Sequence, residues 1–134
     1  MRVVLDVNVL VSALLSRAGA PGRLIALWLE GAFELVVSEE LLAELGRALA
    51  YPKLREHISR EDAAEFIALL RATASMLADA ERPVHVTRDP GDDYLVALAK
   101  ASASVLVSGD RDLLVLAPEL PIQEPGAFLE HLKR

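Results

Sequence analysis

The chain has no cysteine, so neither a disulfide framework nor a thiolate-held metal is open to it. Any metal it binds must be held by oxygen or imidazole. A long apolar run is also missing. The longest, VVLDVNVLVSALL from residue 3, carries Asp6 and Asn8 and falls short of the ~20 residues a membrane helix needs. It has no basic segment before it and no small-residue cleavage site after it, so it does not read as a signal peptide. A cytoplasmic protein with no membrane contact is the expectation. Positive charge is scarce too: 14 Lys and Arg face 20 Asp and Glu, for a formal net charge of −6. That balance argues against wholesale electrostatic wrapping of a polyanion. Nucleic-acid binding through cations held by carboxylates is not excluded. Arg outnumbers Lys 11 to 3, and Arg is suited to bidentate phosphate contacts. There is no internal repeat, no low-complexity tract and no sign of a second domain, so residues 1–134 read as one domain.

What is present is a folded chain, with 53% apolar residues. RVVL (2–5) reads as a buried strand that turns into helix near residue 8, and RAGAPG (17–22) reads as a loop. A helix over 22–31 is stopped by Gly31, and a strand follows over 33–37. Ser38 can cap the next helix, with Glu39 and Glu40 in its first turn, and that helix ends before Pro52. A Ser-x-x-Asp capping pattern opens a long helix over 59–80. PVHVT (83–87) is a strand, RDPGD a turn, 92–103 a helix and 104–108 a strand. DRDLLVL is a short helix, LPIQE an edge strand and GAFLEHLK a closing helix. Strands alternating with helices imply an α/β domain with a mostly parallel central sheet.

Open parallel sheets bind ligands beyond the carboxyl ends of their strands. Asp6 follows the first strand, Asp110 follows VLVSG, and Asp92 opens the helix after PVHVT. Glu44 borders the apolar stripe of Leu41, Leu42, Leu45 and Leu49, from where it can turn into a cleft, whereas Glu40 falls on the solvated side. Carboxylates converging on one cleft repel one another unless cations neutralise them. Mg²⁺ and Mn²⁺ prefer such oxygen ligands, and a site of that kind supports in-line phosphodiester hydrolysis by water. Each acid taken alone also reads as an ordinary cap or solvated charge: Asp6, Asp92, Asp93, Asp110 and Asp112 at helix starts, Glu44 on a helix flank. His57, His85 and His131 are scattered, with no metal-ligand spacing. Trp28 reads as core or interface packing, and Tyr94 adjoins the acids but fits the core equally well.

Four segments together resemble the PIN-domain family, especially the VapC-type toxin ribonucleases of toxin–antitoxin pairs. LDVNVLVSALLS resembles its opening Asp-Thr-Asn motif, VSEELLAELGRAL its Ser…Glu-Leu segment, RDPGDDYLVALAKA its third motif, and VLVSGDRDLL its Thr-x-Asp-x-Asp motif. Val7 stands where Thr is usual, and Ser108 replaces Thr while keeping the hydroxyl. The resemblance spans nearly the whole chain. It implies an α/β/α sandwich with about five strands and a Mg²⁺- or Mn²⁺-dependent ribonuclease. Matched residue by residue, the catalytic and metal-holding acids are Asp6, Glu44, Asp92 and Asp110, with Asn8, Ser108 and Asp112 in support. The third acid lies between Asp92 and Asp93; the spacing to Ala97 and Ala99 favours Asp92 and leaves Asp93 a supporting place. Arg17, Arg23, Arg88 and Arg111 flank the motifs and are candidate RNA contacts.

The partners implied are RNA, a small antitoxin whose helix would lie in an apolar groove, and a second copy of the chain in a homodimer or higher oligomer. The helices over 22–31 and 59–80 offer the surfaces. Two other readings compete. A phosphatase resembling the haloacid dehalogenase group would need a second Asp where Asn8 stands, and a positioned lysine, for which only Lys53 and Lys100 are internal. A non-enzymatic module is the other: a receiver-like switch would want paired acids after its first strand and a late Lys beyond a Ser or Thr, neither of which the chain offers, and an inactive PIN scaffold would have lost an acid, and none is lost.

Overall fold

The computed structural model describes residues 1–79 and 92–133. Its centre is a five-stranded, all-parallel sheet in the order β3-β2-β1-β4-β5. The strands are β1 (Arg2–Leu5), β2 (Glu34–Val37), β3 (Ser75–Met76), β4 (Val105–Val107) and β5 (Ile122–Gln123). Eight helices are found among the described residues: α1 (Val7–Leu15), α2 (Ala20–Leu29), α3 (Glu39–Leu49), α4 (Pro52–Arg55), α5 (Arg60–Thr73), α6 (Asp93–Ser102), α7 (Arg111–Leu114) and α8 (Pro125–Leu132). None of them is long and apolar enough to cross a membrane alone.

The central strands are covered on both faces, which is why they read as unbroken apolar runs. Val3, Val4, Leu5, Val36, Val37 and Val107 have no accessible surface. The chain runs from β1 outward to β2 and β3, then returns to the other side of β1 for β4. Strand order therefore reverses between β1 and β4, the place where open α/β sheets form a crevice. Pairing there is in register, Val3 with Val105 through Leu5 with Val107. The next residues, Asp6 and Ser108, leave the sheet side by side. Backbone hydrogen bonds continue past the strands, from Asp6 N–H to the Val107 carbonyl (2.9 Å) and from Ser108 N–H to the Gln123 carbonyl (3.0 Å).

Helix starts follow local chemistry. Ser38 Oγ accepts from Leu41 N–H at 3.2 Å, and Ser59 Oγ from Asp62 N–H at 3.0 Å, as the sequence predicts. Gly31 closes α2 with φ of +90°, a conformation open to glycine without strain.

Several boundaries differ from expectation. The helix expected over 59–80 stops at Thr73, and Ser75–Met76 become β3, pairing with Val36 and Val37. No Gly or Pro follows Thr73, so no local signal announces the stop. The helix expected from residue 22 starts two residues earlier, because Pro21 suits the first helical turn as well as a loop. Pro52, read as a stop, also opens α4. The strand expected over 83–87 and the turn before Asp92 lie outside the described residues.

Candidate active site

Asp6 occupies the N-cap position of α1 but makes no capping hydrogen bond with its side chain. Its carboxylate is 5% exposed and accepts a 2.6 Å hydrogen bond from Ser108 Oγ. Ser108 Oγ in turn accepts from Asp110 N–H at 3.0 Å, and Asp110 Oδ1 accepts from Asp112 N–H at 2.9 Å. One relay thus runs from the end of β1 through the end of β4 into α7. Asp110 serves as a cap and as a neighbour of Asp6 at once. Burial pushes the Asp6 pKa up. The Ser108 hydroxyl opposes that rise, as do the Val7 and Asn8 amides, and the Asp110 charge adds to it.

The other acids approach from α3 and α6. Tyr94, in the first turn of α6, is 4% exposed. Its hydroxyl feels the charges of Glu44, Asp6 and Asp92, in falling order, and burial with these charges drives its pKa well above the usual phenol range. Three elements therefore bring carboxylates around one buried hydroxyl. That hydroxyl has no hydrogen-bond partner among the described residues. A buried orphan donor costs about 1–3 kcal/mol. Glu44 is half-buried, and its carboxylate is engaged by Arg47 one turn on, at 2.6 Å.

The remaining predicted residues divide. Asp93 is buried, and Asp92 is among the charges that act on the Tyr94 hydroxyl. Asn8 is exposed in the first turn of α1. Arg111 is exposed beside Asp110. Arg17 lies past the far end of α1, roughly 15 Å along the helix direction from Asp6. There it lines a groove with Leu14, Phe66 and Leu69. Arg23 faces a groove shared with Leu129 and Leu132 of α8. Arg88 lies outside the described residues. Two residues that sequence reasoning did not place in the site, Tyr94 and Arg47, stand inside it. Their only sequence signal is spacing: Tyr94 is two residues from Asp92, and Arg47 is three from Glu44.

Among the described residues, no three Asp, Glu or His side chains lie close enough together to share one ion as placed. The donor chemistry nonetheless fits a hard divalent cation: the candidate ligands are all carboxylate oxygens, and among the described residues a buried hydroxyl beside them lacks a partner.

Residues 2–112 match the PIN-domain family. The chain is 28% identical over 144 aligned residues to the uncharacterized protein MJ1680 of Methanocaldococcus jannaschii, with 100% of this chain and 93% of that protein covered. Its fold is similar to that of PAE2754 from Pyrobaculum aerophilum, with a TM-score of 0.69 at 17% identity, covering 99% of this chain and 90% of the other. It is also similar to VapBC2 from Rickettsia felis, a structure bound to a DNA fragment from the promoter, with a TM-score of 0.64 at 13% identity, covering 92% and 98%.

Proposed function

The chain belongs to the PIN-domain family, whose members are generally nucleases, and from that premise we propose a Mg²⁺- or Mn²⁺-dependent endoribonuclease, the toxin of a toxin–antitoxin pair. The observation that carries the reading is the convergence of Asp6, Glu44 and Asp92 on the Tyr94 hydroxyl, with Asp110 tied to Asp6 through Ser108. Asp6, Glu44, Asp92 and Asp110 would hold the metal. Bound there, it would supply an activated water and offset the charge that builds at phosphorus. The protein's own part is to fix the direction of these carboxylates at one sheet edge. Ser108 does so for Asp6 by donating to it, and Asp112 N–H does so for Asp110. Arg111, exposed and next to Asp110 in the chain, would meet an RNA phosphate.

The toxin role rests on the resemblance to VapC-type proteins. It carries with it a small antitoxin partner, a homo-oligomer and a cytoplasmic location, and the likeness to a VapBC structure supports the first. The test is a calorimetric titration of Mn²⁺ into the wild type and into Asp6→Asn and Asp110→Asn, with the same samples run on single-stranded RNA. Binding and cleavage by the wild type, each reduced more than about 100-fold in both variants, is the expected result. A wild type that binds no Mn²⁺ would leave a scaffold, and one that binds without cutting RNA would redirect the search to other nucleic acids.

A further inference from the structure

Glu44 and Tyr94 pose one problem between them. Glu44 is drawn by its own helix neighbour Arg47, at 2.6 Å, on the exposed side of α3. Tyr94, fixed by burial at the start of α6, has a hydroxyl sealed from solvent with no partner among the described residues. Of the charges acting on that hydroxyl, Glu44's is the strongest. Asp6, the next, already accepts a hydrogen bond from Ser108 at its Oδ2. A Glu side chain has enough torsional freedom to move its carboxylate between two such positions, whereas a buried Tyr ring has not.

We propose that Glu44 is a two-position ligand, held outward by Arg47 and received inward by the Tyr94 hydroxyl, and that loading of a divalent cation carries it from the first position to the second. The inference rests on the metal-nuclease reading and deepens it. Arg47 and Tyr94 are then positioning residues with opposite effects. Arg47 competes with the cation for Glu44. Tyr94 donates to the inward carboxylate, fixing its direction and leaving its other oxygen for the metal. Release from Glu44 also frees Arg47, an exposed guanidinium at the mouth of the site, for a phosphate.

Two measurements on the full chain test this. Calorimetric titration of Mn²⁺ should show Arg47→Gln binding roughly two- to fivefold more tightly than wild type, the range set by an exposed ion pair. Tyr94→Phe keeps the ring and should bind about tenfold more weakly, as for a lost hydrogen bond to a charged group. The second measurement is the tyrosine ultraviolet difference spectrum on adding saturating Mg²⁺, which reads the phenol's hydrogen bond directly. The band should shift in wild type and in Tyr51→Phe, and stay unmoved in Tyr94→Phe and Glu44→Gln. Mg²⁺ or Mn²⁺ binding with no shift from Tyr94, or a shift that survives Glu44→Gln, would overturn the proposal and leave the nuclease reading standing. No cation binding to the wild type would remove both.

Discussion

The two halves of the acidic edge are built differently. On the β1–β4 side, Asp6 is buried, in register with Ser108, and tied through it to Asp110. The backbone on that side belongs to a five-stranded ladder with apolar cover on both faces. On the α3–α6 side, Glu44 is half-exposed and engaged by Arg47, and Tyr94 is buried without a partner among the described residues. A carboxylate can stay buried only when hydrogen bonds replace its water, and a sheet edge holds the residue that supplies one, here Ser108, in register beside it. A helix flank does not. One half is therefore preorganised before any cation arrives, and the other must rearrange.

The largest effect expected from that contrast is at Ser108. Ser108→Ala removes the hydroxyl that serves Asp6 and Asp110 together, so Mn²⁺ affinity should fall about 10- to 100-fold, the range for residues that orient metal ligands. Ser108→Thr should retain most of it. Calorimetry on the two variants decides, and a loss at Ser108 smaller than that of Tyr94→Phe would invert the comparison.

The stability of the metal-free protein separates the halves again. Asp6 has a pKa raised above its ordinary 3.8, chiefly by burial. The native state then holds the proton more tightly than the unfolded state, so ionising Asp6 costs stability. The contribution of the protonated form is fully present below the unfolded value and is lost as pH rises through the raised native one. Asp6→Asn should therefore melt above wild type at neutral pH without metal, and the gap should close toward pH 3. Glu44→Gln removes a charge that is half-exposed and paired, so it should change stability by no more than about 0.5 kcal/mol at any pH. Melting curves across pH, in chelator, test both. Adding Mn²⁺ should raise the wild-type midpoint and leave Asp6→Asn unmoved.

The preorganised half was also the legible half. Asp6, Ser108 and Asp110 each end an apolar run, and a parallel sheet carries strand ends to one edge, so position along the chain stood in for position in space. Glu44 was legible more weakly, from its place beside the Leu41–Leu45 stripe. Tyr94 and Arg47 were not, because their surroundings depend on how closely α3 and α6 approach, which no local pattern encodes. The same holds for β3. Two residues carry too little periodicity to read, and they are strand only because Val36 and Val37 offer a free ladder beside them. The end of α5 was lost with it, since Ser59 marks the start of that helix and nothing comparable marks its stop.

The smallest effect expected is at Ser38, which bears on how the α3–α6 half is supported. Its buried hydroxyl caps α3, the helix that carries Glu44 and Arg47, and Arg71 of α5 pairs with Glu39 in the same first turn. Ser38→Ala should cost about 1 kcal/mol, a midpoint shift of a few degrees. Ser38→Asp or Ser38→Thr can supply the same acceptor. Glu44 lies in the second turn, past the residues a lost cap would fray, and its carboxylate depends on Arg47 and Tyr94 rather than on the helix start. Ser38→Ala should therefore lower the melting point while leaving Mn²⁺ affinity within about twofold of wild type, since substitutions at sites more than about 7–10 Å apart with no shared partner rarely couple strongly. A loss of affinity as large as that of Ser108→Ala would mean that α3 is held as tightly to the site as β4 is, and that the two halves are one preorganised unit.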